Sequence, residues 1–112
     1  MTDEELILFC NNDIKLVNNA LDIMVKYYQK NKKTVGTLGC RLLYENKRVQ
    51  HGGIVFYARD NHFISATHLG LKTFYWGKTT VAYDILGCTG AFLLITKENF
   101  KKIIINKFIK WL

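Results

Sequence analysis

Residues Leu6-Ile7-Leu8-Phe9-Cys10 form a short apolar run that stops on Asn11-Asn12-Asp13 and is followed by an amphipathic stretch. Five apolar residues bounded by turn-forming residues suit a buried strand and are too few for a helix. A strand that passes through a polar corner into a helix points to an α/β chain. In open α/β sheets, ligands bind at the carboxyl ends of the strands, which is where this corner lies.

The remaining periodicity fits that class. Val17, Ala20, Leu21, Met24 and Tyr28 recur at three- and four-residue spacing, with Lys15, Asn18, Asn19 and Asp22 mostly opposite, which predicts a helix over 15–30. Residues 34–44 and 48–57 read as a strand pair joined by a turn at Glu45-Asn46-Lys47. Within the second run, Gly52-Gly53 implies a bulge or a close backbone approach. Residues 58–80 are aromatic and aperiodic and read as a long loop, able to serve as a lid. Ala91-Phe92-Leu93-Leu94-Ile95 reads as a further strand. Thr96 is placed to cap a final helix carrying Phe100, Ile103, Ile104, Phe108 and Trp111 along one side. No proline, repeat or low-complexity linker divides the 112 residues, so a single compact unit is expected.

Four segments carry chemistry. Asp13 either caps the helix that starts near Lys15 or ligates Mg2+ or Mn2+ against a nucleoside diphosphate. One or two carboxylates suffice for the ion when phosphates supply the other oxygens. In the second reading Asn11 and Asn12 hydrogen-bond sugar or phosphate; the tripeptide alone reads more readily as the cap. Gln50-His51-Gly52-Gly53 places a histidine beside a flexible pair, as a ligand contact or as a surface turn with a half-buried ring. His62 and His68 lie among Phe63, Phe74, Tyr75 and Trp76, faces that suit sugar rings or pin a loop to the core. Gly87-Cys88-Thr89-Gly90-Ala91 lets backbone approach a ligand closely, or is a tight entry into a strand. The three histidines lack a zincin spacing, and no Walker or dinucleotide fingerprint is present.

Charge and cysteines narrow the field less. The net charge of +7 admits nucleic acid, an anionic membrane surface or phosphorylated substrates, but no nucleic-acid motif accompanies it. Lys30, Lys32 and Lys33 fall where the helix ends and complement its dipole. Residues 101–112 form a basic, partly apolar tail, suited to a membrane surface or to the domain's own core. No apolar run approaches the ~20 residues of a membrane span. The acidic start lacks the basic region of a signal peptide. Cys10, Cys40 and Cys88 are expected as reduced, mostly buried thiols in a cytosolic protein.

Taken in order, these segments resemble one family. Asn11-Asn12-Asp13 is followed by Val35-Gly36-Thr37-Leu38-Gly39-Cys40-Arg41-Leu42-Leu43-Tyr44 and by Val49-Gln50-His51-Gly52-Gly53-Ile54-Val55. His68-Leu69-Gly70, Thr89-Gly90-Ala91-Phe92-Leu93-Leu94-Ile95 and Phe100 come after. The set resembles the family 2 glycosyltransferases, most closely the rhamnosyltransferase-like branch of surface polysaccharide assembly, over about residues 3 to 100. The resemblance implies a partial GT-A fold, a mixed sheet with flanking helices. It also implies sugar transfer from a nucleotide sugar to a glycan or lipid-linked acceptor. Asn11-Asn12-Asp13 takes the place of the DxD-like motif, with Asp13 the metal and diphosphate contact through Mg2+ or Mn2+. By the same resemblance Gly90 and Ala91 lie on the donor side, and Gln50, His51 and His68 on the acceptor side.

Two departures from the family pattern follow. The nucleotide-binding βαβ half that normally precedes the motif is not seen, and no Asp or Glu follows Glu98 to serve as the acceptor's general base. The chain therefore reads as a partial domain, inactive alone, completed by another chain or by more of the same one. It is expected in the cytoplasm or peripherally at the inner face of the membrane, with no nucleic-acid partner. The competing class is a non-catalytic module that binds glycan or a membrane surface.

Overall fold

The computed structural model describes residues 5–58, 64–73, 82 and 84–103. In chain order the elements are β1 (Leu6–Cys10), α1 (Ala20–Lys30), β2 (Thr37–Gly39), β3 (Leu42–Leu43), β4 (Val49–His51), β5 (Ile54–Ala58), β6 (Ile64–His68) and β7 (Phe92–Thr96). A helical segment, α2, follows at 97–103. The chain is α/β. Every strand pairing among the described residues is antiparallel, where a mixed sheet was expected. No described helix is long and apolar enough to cross a membrane. Two compact units divide the chain, one of Met1–Gly39 with Gly90–Leu112, the other of Cys40–Thr89.

The first unit is built on β7. Its run Phe-Leu-Leu-Ile is apolar without alternation, which suits a strand covered on both faces. Phe92, Leu94 and Ile95 are buried, with Phe92 only 1% exposed. Each such side chain stabilises the fold by roughly 1.5–3 kcal/mol. β1 and β2 flank β7 in the order β1-β7-β2. Leu6 lies opposite Thr96 and Cys10 opposite Phe92; Thr37 lies opposite Ile95 and Gly39 opposite Leu93. Both outer strands run antiparallel to β7 and are therefore parallel to each other. The path β1-α1-β2 is thus a β-α-β unit split by an inserted strand. β1 is only partly covered, with Phe9 and Cys10 exposed, because it forms an edge of this sheet rather than the buried strand expected. The Phe9 ring is anchored instead by Phe100, at 5.4 Å between centroids.

α1 is shorter than the 15–30 helix predicted. Asn18 and Asn19 adopt left-handed φ values of 56° and 53°, a conformation that asparagine tolerates and that stops helix propagation. The helix therefore starts at Ala20, and Leu16 and Val17 lie outside it and exposed. Met24 and Tyr28 are its buried residues and it packs against β2. At its end, Asn31 donates its N–H to the Tyr27 and Tyr28 carbonyls and its side-chain amide to the Tyr27 carbonyl. The Tyr28 hydroxyl donates to Glu5 Oε1 at 2.9 Å, and Lys32 pairs with Glu5 Oε2 at 3.2 Å. Thr96 caps α2 as predicted, its Oγ1 accepting the Asn99 N–H at 3.0 Å.

In the second unit the predicted strand pair is redistributed. The 34–44 run breaks at Cys40-Arg41, so that 37–39 joins β7 while 42–43 pairs with β4. The 48–57 run breaks at Gly52-Gly53. The predicted turn at 45–47 is present, with Tyr44 N–H donating to the Arg48 carbonyl at 2.9 Å and Lys47 at φ 66°. β5 pairs with β6, from Ile54 opposite His68 to Ala58 opposite Ile64. Residues 64–68 are thus a strand inside the segment expected to be loop. Ile64-Ser65-Ala66-Thr67-His68 has β-branched residues at both polar and apolar places, so its strand character depends on a partner rather than on a hydrophobic period. His62, Phe63, Phe74, Tyr75, Trp76 and the tail from 104 onward lie outside the described residues. None of the three cysteines is in a disulfide, but Cys10 is exposed and the other two are half-buried, less covered than predicted.

Candidate functional site

The Asn11-Asn12-Asp13 corner begins where the β1–β7 ladder ends. Asn11 N–H donates to the Ala91 carbonyl at 2.9 Å, one step beyond the Cys10–Phe92 pair. The Asn11 carbonyl in turn accepts the Ile14 N–H at 3.4 Å, so residues 11–14 make a turn with Asp13 near its tip. The helix begins seven residues further on, at Ala20, with Asn19 at its cap position. The helix-cap reading of Asp13 is therefore wrong. Asn11, Asn12 and Asp13 are all exposed, and among the described residues the Asp13 carboxylate has no hydrogen-bond or ion-pair partner.

Across the ladder, Gly90 is exposed and a Cβ built on it would meet nothing within 4 Å. Its φ is not positive. Neither conformation nor packing requires glycine there, and its missing side chain leaves the space beside Ala91 and Asn11 open. Four of the five donor-side candidates, Asn11, Asn12, Gly90 and Ala91, thus lie at or next to a single hydrogen bond, and Asp13 follows in the same turn.

The corner offers one carboxylate and two side-chain amides. Among the described residues no group of three His, Cys, Asp or Glu side chains could hold a metal ion. A divalent cation would fit only when shared with a ligand whose phosphate oxygens complete its shell, as Mg2+ commonly is. The chemistry of the donor set is compatible with that use and not with a structural metal site.

The second cluster lies in the Cys40–Thr89 unit. His51 is 2% exposed, the one buried polar side chain of the described residues, and not half-buried as expected. Its Nδ1 lies 2.7 Å from Nδ1 of His68, with the rings edge to face. Its Nε2 accepts the Thr89 N–H at 3.1 Å. Burial, and then the nearby His68, holds His51 below the usual histidine range. His68 stands opposite Ile54 in the β5–β6 ladder and is exposed. Gln50, the third acceptor-side candidate, is exposed on β4 between buried Val49 and His51. Strand alternation turns its side chain away from the histidine pair.

Gly53 makes this cluster. Its φ of 124° lies outside what other residues adopt, and a Cβ there would sit 2.9 Å from Ile85 Cγ2. Its carbonyl accepts the Leu69 N–H at 2.7 Å, and Ile54 N–H donates to the Gly87 carbonyl at 2.8 Å. The predicted close backbone approach is real, and it joins the chain just after His51 to the residue after His68 and to the segment just before Thr89.

Thr89 was missed as a site residue because it acts through its backbone N–H, which sequence does not distinguish. A polar cleft of about 810 Å³ was missed as well. It is lined by Glu5, Tyr28, Lys32, Gly36, Thr96 and Asn99 among others, at the end of the sheet remote from Asn11. Its carboxylates are already engaged, Glu5 by Tyr28 and Lys32 and Glu98 by Lys102.

No family model matches the chain, and no solved structure matches it. An O-antigen biosynthesis protein of Myxococcus xanthus, RfbC, is 44% identical over 102 residues, which is 88% of this chain and 8% of that protein. The chain therefore spans about a twelfth of the length of the relative it matches.

Proposed function

We propose that this chain is a segment of a glycosyltransferase of surface polysaccharide biosynthesis, with a GT-A type sheet of the family 2 kind. It would use Asn11-Asn12-Asp13 to hold the diphosphate of a nucleotide sugar. The observation that carries this reading is the Asn11–Ala91 hydrogen bond at 2.9 Å, which joins the turn carrying the exposed, unpartnered Asp13 to the residue after Gly90, where a side chain would meet open space. The likeness to an O-antigen biosynthesis protein supports the same chemistry. In the transfer, the bond from the sugar's anomeric carbon to the diphosphate breaks and a bond to an acceptor hydroxyl oxygen forms. The nucleoside diphosphate leaves, and the hydroxyl proton goes to a base. Asp13 would hold Mg2+ or Mn2+, and the ion would supply positive charge to the departing diphosphate. The Asn side chains donate to sugar or phosphate oxygens, and Gly90 leaves room for the sugar.

The test is paramagnetic NMR on the 112-residue chain. Mn2+ added together with uridine or thymidine diphosphate should broaden the amides of Asn11, Asn12, Asp13 and Ala91, and Mn2+ alone should do so far less. Asp13→Asn should abolish the broadening while leaving the unfolding midpoint unchanged, since nothing described holds its carboxylate. Undiminished broadening in Asp13→Asn, or none at that corner in the parent chain, overturns the assignment.

A further inference from the structure

The His51–His68 pair has its proton positions fixed by its partners. A backbone N–H can only donate, so His51 Nε2, facing Thr89, must carry a lone pair. A neutral imidazole keeps one proton, which places it on His51 Nδ1. That proton lies on the 2.7 Å line to His68 Nδ1, which must therefore be the acceptor. His68 then carries its own proton on Nε2. The reverse polarity would leave His51 without a proton on either nitrogen, an imidazolate with no cation among its partners to balance it.

We propose that His51 is a positioning residue that locks His68 as the Nε2–H tautomer, so that exposed His68 presents a fixed hydrogen-bond donor to an oxygen of a hydroxyl-bearing ligand. The His68 side chain makes no other hydrogen bond among the described residues, and the residue is exposed, so Nε2–H is the group available to a ligand. The lock also denies His68 the role of general base. Its Nε2 already carries a proton, and its one lone pair, on Nδ1, is engaged by the His51 Nδ1–H, so neither nitrogen is free to take a proton from a ligand. The ligand identity rests on the sugar-transfer reading, in which the acceptor's hydroxyls are the nearest chemistry; the tautomer assignment does not.

The test is long-range proton–nitrogen NMR of the histidine rings in the full chain, above the pH at which they protonate. His51 should show the Nδ1–H pattern, which free histidine disfavours, with a nitrogen–nitrogen coupling across the hydrogen bond to His68. His51 in the Nε2–H form, or no coupling, overturns the lock. Diethyl pyrocarbonate gives an independent reading, because it attacks only a lone-pair nitrogen. His68 should react about five- to twelvefold more slowly than in a His51→Leu variant, since its one lone pair is engaged in a hydrogen bond of about 1–1.5 kcal/mol. His51→Asn, whose amide can still donate to His68, should restore the slow rate. Equal rates in all three proteins overturn the positioning role. Titration with methyl α-L-rhamnopyranoside should shift the His68 Nε2–H resonance and not that of His51 Nδ1–H. A lock without that shift overturns the ligand assignment alone, and neither result bears on the Asp13 test.

Discussion

Gly53→Ala isolates the backbone feature on which the histidine cluster depends. Two costs arise in the folded state. At φ 124° an alanine is held in a region open essentially to glycine alone, which costs of order 1–3 kcal/mol. Its methyl would also lie 2.9 Å from Ile85 Cγ2, 3.2 Å from Cδ1 and 3.3 Å from Cβ, closer than real contacts allow. Forcing such overlap costs about 1–3 kcal/mol in a packed site, and less here because Ile85 is 38% exposed and can move. Against these, alanine restricts the unfolded chain and returns about 0.4–1 kcal/mol. The balance is a loss of about 1–4 kcal/mol in urea unfolding followed by far-UV circular dichroism. A double-mutant cycle separates the two costs. Ile85→Ala removes Cγ2 and Cδ1, so Gly53→Ala should cost about 1 kcal/mol less in that background, and the remainder measures strain. A Gly53→Ala chain as stable as its parent would refute the geometry at this position. So would a full cost with no coupling to Ile85, as far as the close contact is concerned.

Two further effects are open to the same assay. Thr96→Ala removes the oxygen that accepts the Asn99 N–H at 3.0 Å and should cost about 1 kcal/mol, with Thr96→Ser recovering most of it. Because His51 is held below its usual value, the unfolded chain takes up its proton first, near 6.5. Stability should be fully present above that pH and fall below it, by up to about 1.4 kcal/mol per pH unit until the folded-state value is passed. His51→Gln should remove that part of the slope whatever it does to the plateau, and an unchanged slope would show that another group carries it.

What could be read from the sequence depended on how local its cause was. The apolar run of β7, the turn at Asn46, the Thr96 cap and the special backbone at Gly53 each follow from a few adjacent residues, and each is present. The start of α1 was misplaced because the apolar spacing runs back to Val17, while the deciding residues, Asn18 and Asn19, are compatible with a helix until their left-handed backbone is seen. β6 was missed because its alternation, Ile64-Ser65-Ala66-Thr67, is short and leaves the apolar places exposed, so its order comes from pairing with β5. The redistribution of the 34–44 and 48–57 runs is equally non-local, since only pairing with β7 separates Thr37–Gly39 from Leu42–Leu43. At the site, residue types singled out His51 and His68 as individuals. Their hydrogen bond could not be read, because it requires the β5–β6 register that puts His68 opposite Ile54 and the chain reversal at Gly53.

The antiparallel insertion of β7 between β1 and β2 explains why two segments nearly eighty residues apart come together. A direct β-α-β unit would place β2 beside β1, and the Asn11-Asn12-Asp13 corner would face the end of another strand with the same direction. With β7 between them, the corner meets the start of β7 instead, because antiparallel partners bring a carboxyl end against an amino end. The residues entering β7 are Gly90 and Ala91, and the space over Gly90 is open. A bulky residue at position 90 would be tolerated by the fold, since neither φ nor a neighbour forbids it, yet it would fill that space. Gly90→Leu should therefore keep the stability of the parent chain and lose the diphosphate-dependent Mn2+ effect at Asn11 and Asp13. If Gly90→Leu retains that effect in full, the open space is incidental to the ligand, and Asp13 acts without it.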